Sequence, residues 1–496
     1  MRLPRFTKYL ALTASLGLLG SCDSFLDVNQ SPNSVLTPQP SNVLVSAETQ
    51  LGFLMGSDIH RYSSLFVQQF AGQGGLGTQT VEFDRYNITA TDVNNLWRAN
   101  IYGGALADMQ KLIQLTDGSS PAYSGIAKIM QGFLFATTTD AFGDIPLDDA
   151  LKFEQNVKPR YQPSTEVYAR ALALLDAGIE DLGKTSAFKP AGDDLIYAGD
   201  LNKWIRFANT VKFRLYIHHY PKLGSEATTR LNALISNRDL LVMRSAADNF
   251  QLRFETTSGR QNPIDQFENR RQSTFFPSAT LVELMKSTND PRRSVYFTLF
   301  TPPPPNNTPQ YIGVQNGTGV TVSTSFSRMN TYLRGSVVNG AFGGDAPVRI
   351  FTYAEYQFIL AEHYLRTGNF TAARAAFDTG VRTSMEVAGV TAAADVTAYL
   401  TARTASVPFT AATTADALRL IIEEKFVANY GVAMEPWSDW RRTGFPRLSL
   451  AANAVLTAIP RILPYSDLER VTNPENTPAR TAADLITPKV FWDPGQ

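Results

Sequence analysis

Apolar residues that recur at threes and fours through long stretches constrain this chain to a helical body. Tyr168, Leu172, Leu175, Ile179 and Leu182 share one helical face, and Gly183 follows as a stop. Leu201–Tyr220 repeats the pattern through Trp204, Phe207, Val211, Leu215 and His218, and the same spacing predicts helices over Ser124–Ala136, Tyr353–Arg366, Ala372–Val387 and Ala415–Tyr430. A chain of 496 residues, 11% of them aromatic, buries a large core without disulfides or a structural metal. Its 45 basic and 45 acidic side chains cancel, which argues against a nucleic-acid partner, since that role asks for a basic face.

Ala361, Tyr364, Gly368, Phe370, Ala373 and Phe377 follow the internal spacing of a tetratricopeptide repeat, with Thr367-Gly368-Asn369 as the turn. Gly380 stands where such repeats usually carry Ala. From about 245 to 348, the run Thr301–Asn307 with its four prolines, Gly317-Thr318-Gly319 and Gly343-Gly344 break any helix. Long loops of this kind are usually functional.

The N-terminus reads differently. Arg2, Arg5 and Lys8 precede an apolar run, Tyr9–Gly20, that is too short to span a bilayer and has the form of a secretory signal over residues 1–21. The only cysteine, Cys22, ends that run in Leu19-Gly20-Ser21-Cys22, which resembles the lipobox of bacterial lipoproteins. The resemblance implies cleavage before Cys22 and acylation of its thiol and amine, with residues 22–41 as a flexible tether.

Motifs for catalysis fail in context. Gly178–Thr185 fits the P-loop pattern letter for letter, but it lies at a helix end and carries Glu180 and Asp181 where phosphate would sit. Gly72–Gly77 fits G-x-G-x-x-G, yet helical spacing precedes it and Thr78–Phe83 does not read as a helix start, so a loop is expected. His60, His218, His219 and His363 make no metal-ligand pair, and Asp140, Asp144, Asp148 and Asp149 lack calcium-loop spacing. No catalytic residue, metal or cofactor is assigned. Carboxylates distant in the chain leave a glycoside hydrolase as one alternative, and a tetratricopeptide scaffold for another protein as a second.

Several strings together resemble the SusD/RagB family: Phe25-Leu26-Asp27 after the lipobox, Asp140–Ala150, Trp204–Asn209, Glu424–Tyr430, Glu435–Gly444, Ile459-Pro460-Arg461, and Tyr465 with Glu469 and Asn473. Ile462 and Ser466 depart from its pattern, where Arg and Pro are common. The resemblance implies a mainly all-α fold over 42–496, with tetratricopeptide-like helices at about 95–220 and 350–440 in an α/α superhelix and a loop-rich, ligand-facing half at about 245–348. It implies a surface-exposed, lipid-anchored outer-membrane protein that captures an oligosaccharide or peptide and hands it to a SusC-like TonB-dependent transporter. Ligand residues are expected on loops mixing aromatic and hydrogen-bonding side chains: Phe83, Arg85, Tyr86 and Asn87, with Tyr311, Asn316 and Tyr332. Trp437, Trp440, Arg441 and Arg442 read as core packing and buried ion pairing.

Overall fold

The computed structural model describes residues 38–495 apart from 76–77, 271–273, 322 and 406. Cys22, the signal segment 1–21 and most of the proposed tether lie outside the described residues. The body, Pro40–Gln496, is one unit.

Its helices of five residues or more, among those described, are α1 (Pro40–Gly56), α2 (Asp58–Phe66), α3 (Thr80–Asp84), a π-helical segment Asn95–Leu106, α4 (Ala107–Thr116), α5 (Pro121–Phe142), α6 (Ser164–Leu182), α7 (Leu201–His218), α8 (Tyr220–Ser236), α9 (Pro263–Arg270), α10 (Ala279–Ser287), α11 (Tyr353–Arg366), α12 (Phe370–Val387), α13 (Ala393–Ala405), α14 (Thr414–Ala428), α15 (Glu435–Thr443) and α16 (Asp467–Thr472). Strands are short and paired two by two, all antiparallel. β1 (Phe70–Gly72) pairs with β5 (Phe275–Pro277), and β2 (Ile145–Pro146) with β3 (Tyr161–Gln162). β4 (Phe250–Leu252) pairs with β8 (Val348–Phe351), and β6 (Val337–Val338) with β7 (Ala341–Phe342). The protein is mainly α-helical, as its periodicity requires.

Two helical hairpins organise it. In α5–α6 the seam is made of small residues: a Cβ on Gly178 would lie 2.7 Å from the carbonyl oxygen of Gly125, and one on Gly132 would lie 2.8 Å from that of Ala171. Gly178, the first glycine of the P-loop-like string, is therefore a packing residue inside α6. In α11–α12, Asn369 caps α12 by accepting the Ala372 amide at 3.2 Å, and Gly368 takes φ +78° in the turn. Gly380 replaces the usual Ala because the Phe358 ring would stand 3.0 Å from a Cβ there.

Charged side chains knit the hairpins together inside the core. Arg214 of α7 makes a two-pronged bond to Glu355 of α11, at 2.7 and 2.8 Å. Lys425 of α14 donates to Glu435 of α15 at 2.6 Å. Arg441 donates to the backbone of Asp140 and Arg461, at 2.6 and 2.8 Å. Trp437, Arg441 and Arg442 are buried and Trp440 is half-buried, so the α15 string is structural, as read from its spacing.

Two expectations change. Thr80–Asp84 is helical although its sequence does not read as a helix start; Thr80 lies in the interior, its hydroxyl donating to Thr274 O at 2.8 Å, and Asp84 ties the turn to its neighbours. The stretch 245–348 holds α9, α10 and four strands as well as loops, because β4 and β5 find partners far away in the chain, β8 and β1.

Candidate functional site

An open cleft of about 610 Å³ lies between the π-helical segment, the loop after β2 and α16. Its first wall depends on the π turn. A Cβ on Gly103 would meet the carbonyl oxygen of Arg98 at 2.6 Å, and one on Gly104 that of Ala99 at 2.4 Å, so glycine at both positions permits the wide turn. Residues five apart then share a face. Trp97 and Tyr102, which an α-helix would splay apart, come to 5.0 Å between ring centroids.

The second wall is Pro146 to Pro159. Leu151 and Phe153 both adopt left-handed backbone, at φ 59° and 51°, a region that side-chain-bearing residues enter at a cost. Phe153 lines the cleft and stays 43% exposed, as does its fellow lining residue Val157 at 72%. Tyr102 donates to Pro146 O at 2.7 Å and clamps the two walls.

Tyr465, Glu469 and Asn473 brace the back. Trp97 Nε1 donates to Glu469 at 3.2 Å, Asn473 donates to Glu469 at 3.2 Å and to Pro159 O at 2.8 Å, and Tyr465 donates to Asp144 O at 2.6 Å. Tyr161 lies parallel to Trp97 at 6.1 Å, and burial first, then the nearby Glu469 charge, push its phenol well above the usual range. The rings are thus fixed in place, while the exposed Arg98 and the half-buried Asn156 supply hydrogen-bonding groups at the mouth. Among the described lining residues Glu469 is the one carboxylate. The arrangement offers apolar ring faces and a few polar groups to an extended neutral ligand.

The residues expected on ligand loops divide in two. Phe83 packs edge-on against Tyr62 at 4.9 Å, Tyr86 is 1% exposed with its hydroxyl accepting from the Ala451 amide at 3.2 Å, and Tyr332 lies beneath the Arg349 guanidinium at 3.8 Å. Asn316 is buried, donating to Phe70 O at 2.7 Å and Asp84 at 2.6 Å and accepting from Ser278 at 2.6 Å. These four are corrected to core residues: Phe83 and Tyr86 turn in against α2, the bonds to Phe70 O and Asp84 hold Asn316, and Tyr332 packs 4.5 Å from the Tyr296 ring, so none is open to stack on a ligand. Arg85, Asn87 and Tyr311 do reach the surface. Arg85 Nε donates to Gly317 O at 2.8 Å, so Asp84 and Arg85 join the 83–87 segment to 316–317, whereas Tyr311 sits apart under Arg293 at 5.6 Å.

The acidic cluster also disperses. Asp140 is buried against Tyr168 and Trp492, Asp144 accepts the Ser164 amide at the start of α6, and Asp149 is paired with Lys152 and Arg160. Burial raises Asp140 above the usual carboxylate range, although the nearby charges of His218 and Arg441 pull the other way. Among the described residues no three His, Cys, Asp or Glu side chains group as metal ligands.

Sequence periodicity misses the cleft, because a 3.6-residue repeat puts Trp97 and Tyr102 on different faces. One signal was present: Phe153 stands alone between Lys152 and Glu154 in a polar run.

The described residues thus form a helical body with an open, ring-lined cleft. The SusD-like family, described as "Starch-binding associating with outer membrane", matches residues 32–465, and the chain belongs to it. Among solved structures it is similar to a SusD/RagB family protein from Bacteroides thetaiotaomicron, at 22% identity and a TM-score of 0.75, covering 92% of this chain and 100% of that one. It is similar to a chitin-binding protein, at 24% identity and TM-score 0.73, covering 88% and 95%. A chitin-binding SusD homologue from Flavobacterium johnsoniae aligns at 22% identity and TM-score 0.70, covering 91% and 98%. At such identities the likeness is one of fold. No curated protein sequence matches the chain.

Proposed function

We propose that this protein captures a nutrient oligosaccharide in the Trp97–Phe153 cleft and delivers it to a SusC-like TonB-dependent transporter, held at the outer-membrane surface by lipid on Cys22. The observation that carries the reading is Phe153, an exposed aromatic that lines the same cleft as the paired rings of Trp97 and Tyr102. Pyranose rings place their C–H faces on such platforms and their hydroxyls on groups such as Asn156 and Arg98. The chitin-binding proteins of the same fold support a saccharide as the ligand class, and the family description supports the outer membrane as the location. No helix among the described residues is long and apolar enough to cross a membrane.

Binding without turnover is the proposed activity. Glycoside hydrolysis uses two carboxyl groups about 5–10 Å apart across the bond, and the cleft lining supplies Glu469, already committed to Trp97 and Asn473. The test is calorimetry with starch and chitin oligomers on the wild type and the Phe153→Ala variant, with product analysis on the same samples. Saturable binding that weakens in the variant, with chain lengths unchanged, is the expected result. Steady shortening of the oligomers that co-purifies with the protein would replace this reading with a hydrolase.

A further inference from the structure

A second cavity, of about 330 Å³, opens where α1 hands over to α2 and meets α9, and it shares no lining residue with the cleft. Gly56 makes room for it: a Cβ there would stand 2.5 Å from Pro263 Cγ. Three aromatic side chains, Phe53, Phe267 and Phe275, line it, and His60 faces it from α2.

His60 is 1% exposed, with its ring against Phe70 at 5.4 Å, and its Nε2 meets no hydrogen-bonding partner among the described residues. Buried polar atoms nearly always have one, so an unpaired ring nitrogen on a cavity residue points to a ligand that completes the site. Ser57 is loosely held as well, its hydroxyl 3.5 Å from Leu54 O, at the limit of a hydrogen bond. Among the described lining residues Arg61 carries the one charge. Arg61 is paired with Asp58 and lies 4.3 Å over the Phe267 ring, and burial pushes His60 down to about 4, leaving it neutral.

Ring faces beside hydroxyl, amide and imidazole groups, with the Arg61 charge already paired, suit a neutral ligand with an apolar face and hydroxyls. The volume is at the small end of ligand pockets, about 300–1,000 Å³, which suits an end unit more than a run of polymer. We propose that this cavity is a second saccharide site, taking one neutral pyranose unit against Phe267 with a hydroxyl on His60. The ligand class rests on the saccharide reading above; the cavity and its unpaired imidazole do not.

The test is a titration of the full chain with glucose, N-acetylglucosamine and glucuronic acid, followed through the imidazole ¹⁵N resonances. The chain has four histidines, so the His60 signal is assigned by its loss in His60→Phe. Either neutral sugar is expected to shift that signal saturably, glucuronic acid at least tenfold more weakly, and Phe267→Ala to weaken the response tenfold or more. Should His60→Phe not fold, paramagnetic broadening of the same signal by a spin-labelled glucoside makes the assignment. A His60 signal that stays fixed while Phe153→Ala still weakens oligosaccharide binding overturns the second site and leaves the cleft reading intact. Absence of any saccharide binding, at either place, overturns both.

Discussion

Arg442 holds Glu362 through two parallel hydrogen bonds of 2.6 Å each, and both side chains are buried. The pair joins α15 to the first helix of the α11–α12 hairpin, two segments 80 residues apart in the chain. Burial alone would raise the Glu362 carboxyl, but Arg442 and Arg366 outweigh it and bring it down to about 2. Neutralising Glu362 leaves the buried Arg442 with Asp439 as its carboxylate partner, so Glu362→Gln is expected to cost about 3 kcal/mol at neutral pH, the lower end for a broken buried pair. With a folded value near 2 and an ordinary value of 4.5, this contribution is complete above about pH 5 and fades as pH falls toward 2. Urea unfolding of wild type and variant at pH 7 and pH 3 checks both size and direction; an equal gap at the two values would contradict it.

Phe153→Ala should weaken oligosaccharide binding about three- to tenfold, the worth of one aromatic platform, about 0.5–1.5 kcal/mol. Because Phe153 is already 43% exposed, the melting temperature should hardly move. Tyr86→Ala should show the opposite pattern, a loss of about 3–5 kcal/mol in stability with ligand affinity unchanged in whatever protein remains folded. Calorimetry and thermal melts on the two variants separate these outcomes.

Gly178→Ala tests the α5–α6 seam. The added methyl would stand 2.6 Å from Ile129 Cγ1 and 2.7 Å from Gly125 O, and the helices must part to admit it. The expected loss is about 1–3 kcal/mol. ATP should leave the melting temperature of the wild type unchanged, since the P-loop-like string is helix interior; a stabilisation by ATP would reverse that assignment.

Cys22→Ser should abolish fatty-acid labelling and release the protein from membranes, because the thiol is the proposed acylation site. Retention of both label and membrane association in the variant would remove Cys22 as the anchor.

Periodicity and composition determined the helical class, the ends of α11 at Tyr353 and Arg366, the buried face of α7 and the packing role of Trp437 and Arg441. Those features follow from which residues avoid water at a 3.6-residue repeat, and that information is local. The SusD-like membership was legible for a related reason, since its strings within the described residues hold core ion pairs and aromatic contacts that keep their order along the chain. The site was not legible. Whether Tyr86 or Phe153 faces solvent depends on whether another segment lies over it: Tyr86 meets Phe66 and the Ala451 amide, whereas Phe153 stays 43% exposed, although both have left-handed backbone. Trp97 meets Tyr102 because two glycines widen one turn, and Glu469 reaches them from 372 residues away. Contacts between distant segments carry no periodicity, so only the tertiary structure could bring those side chains to one cleft.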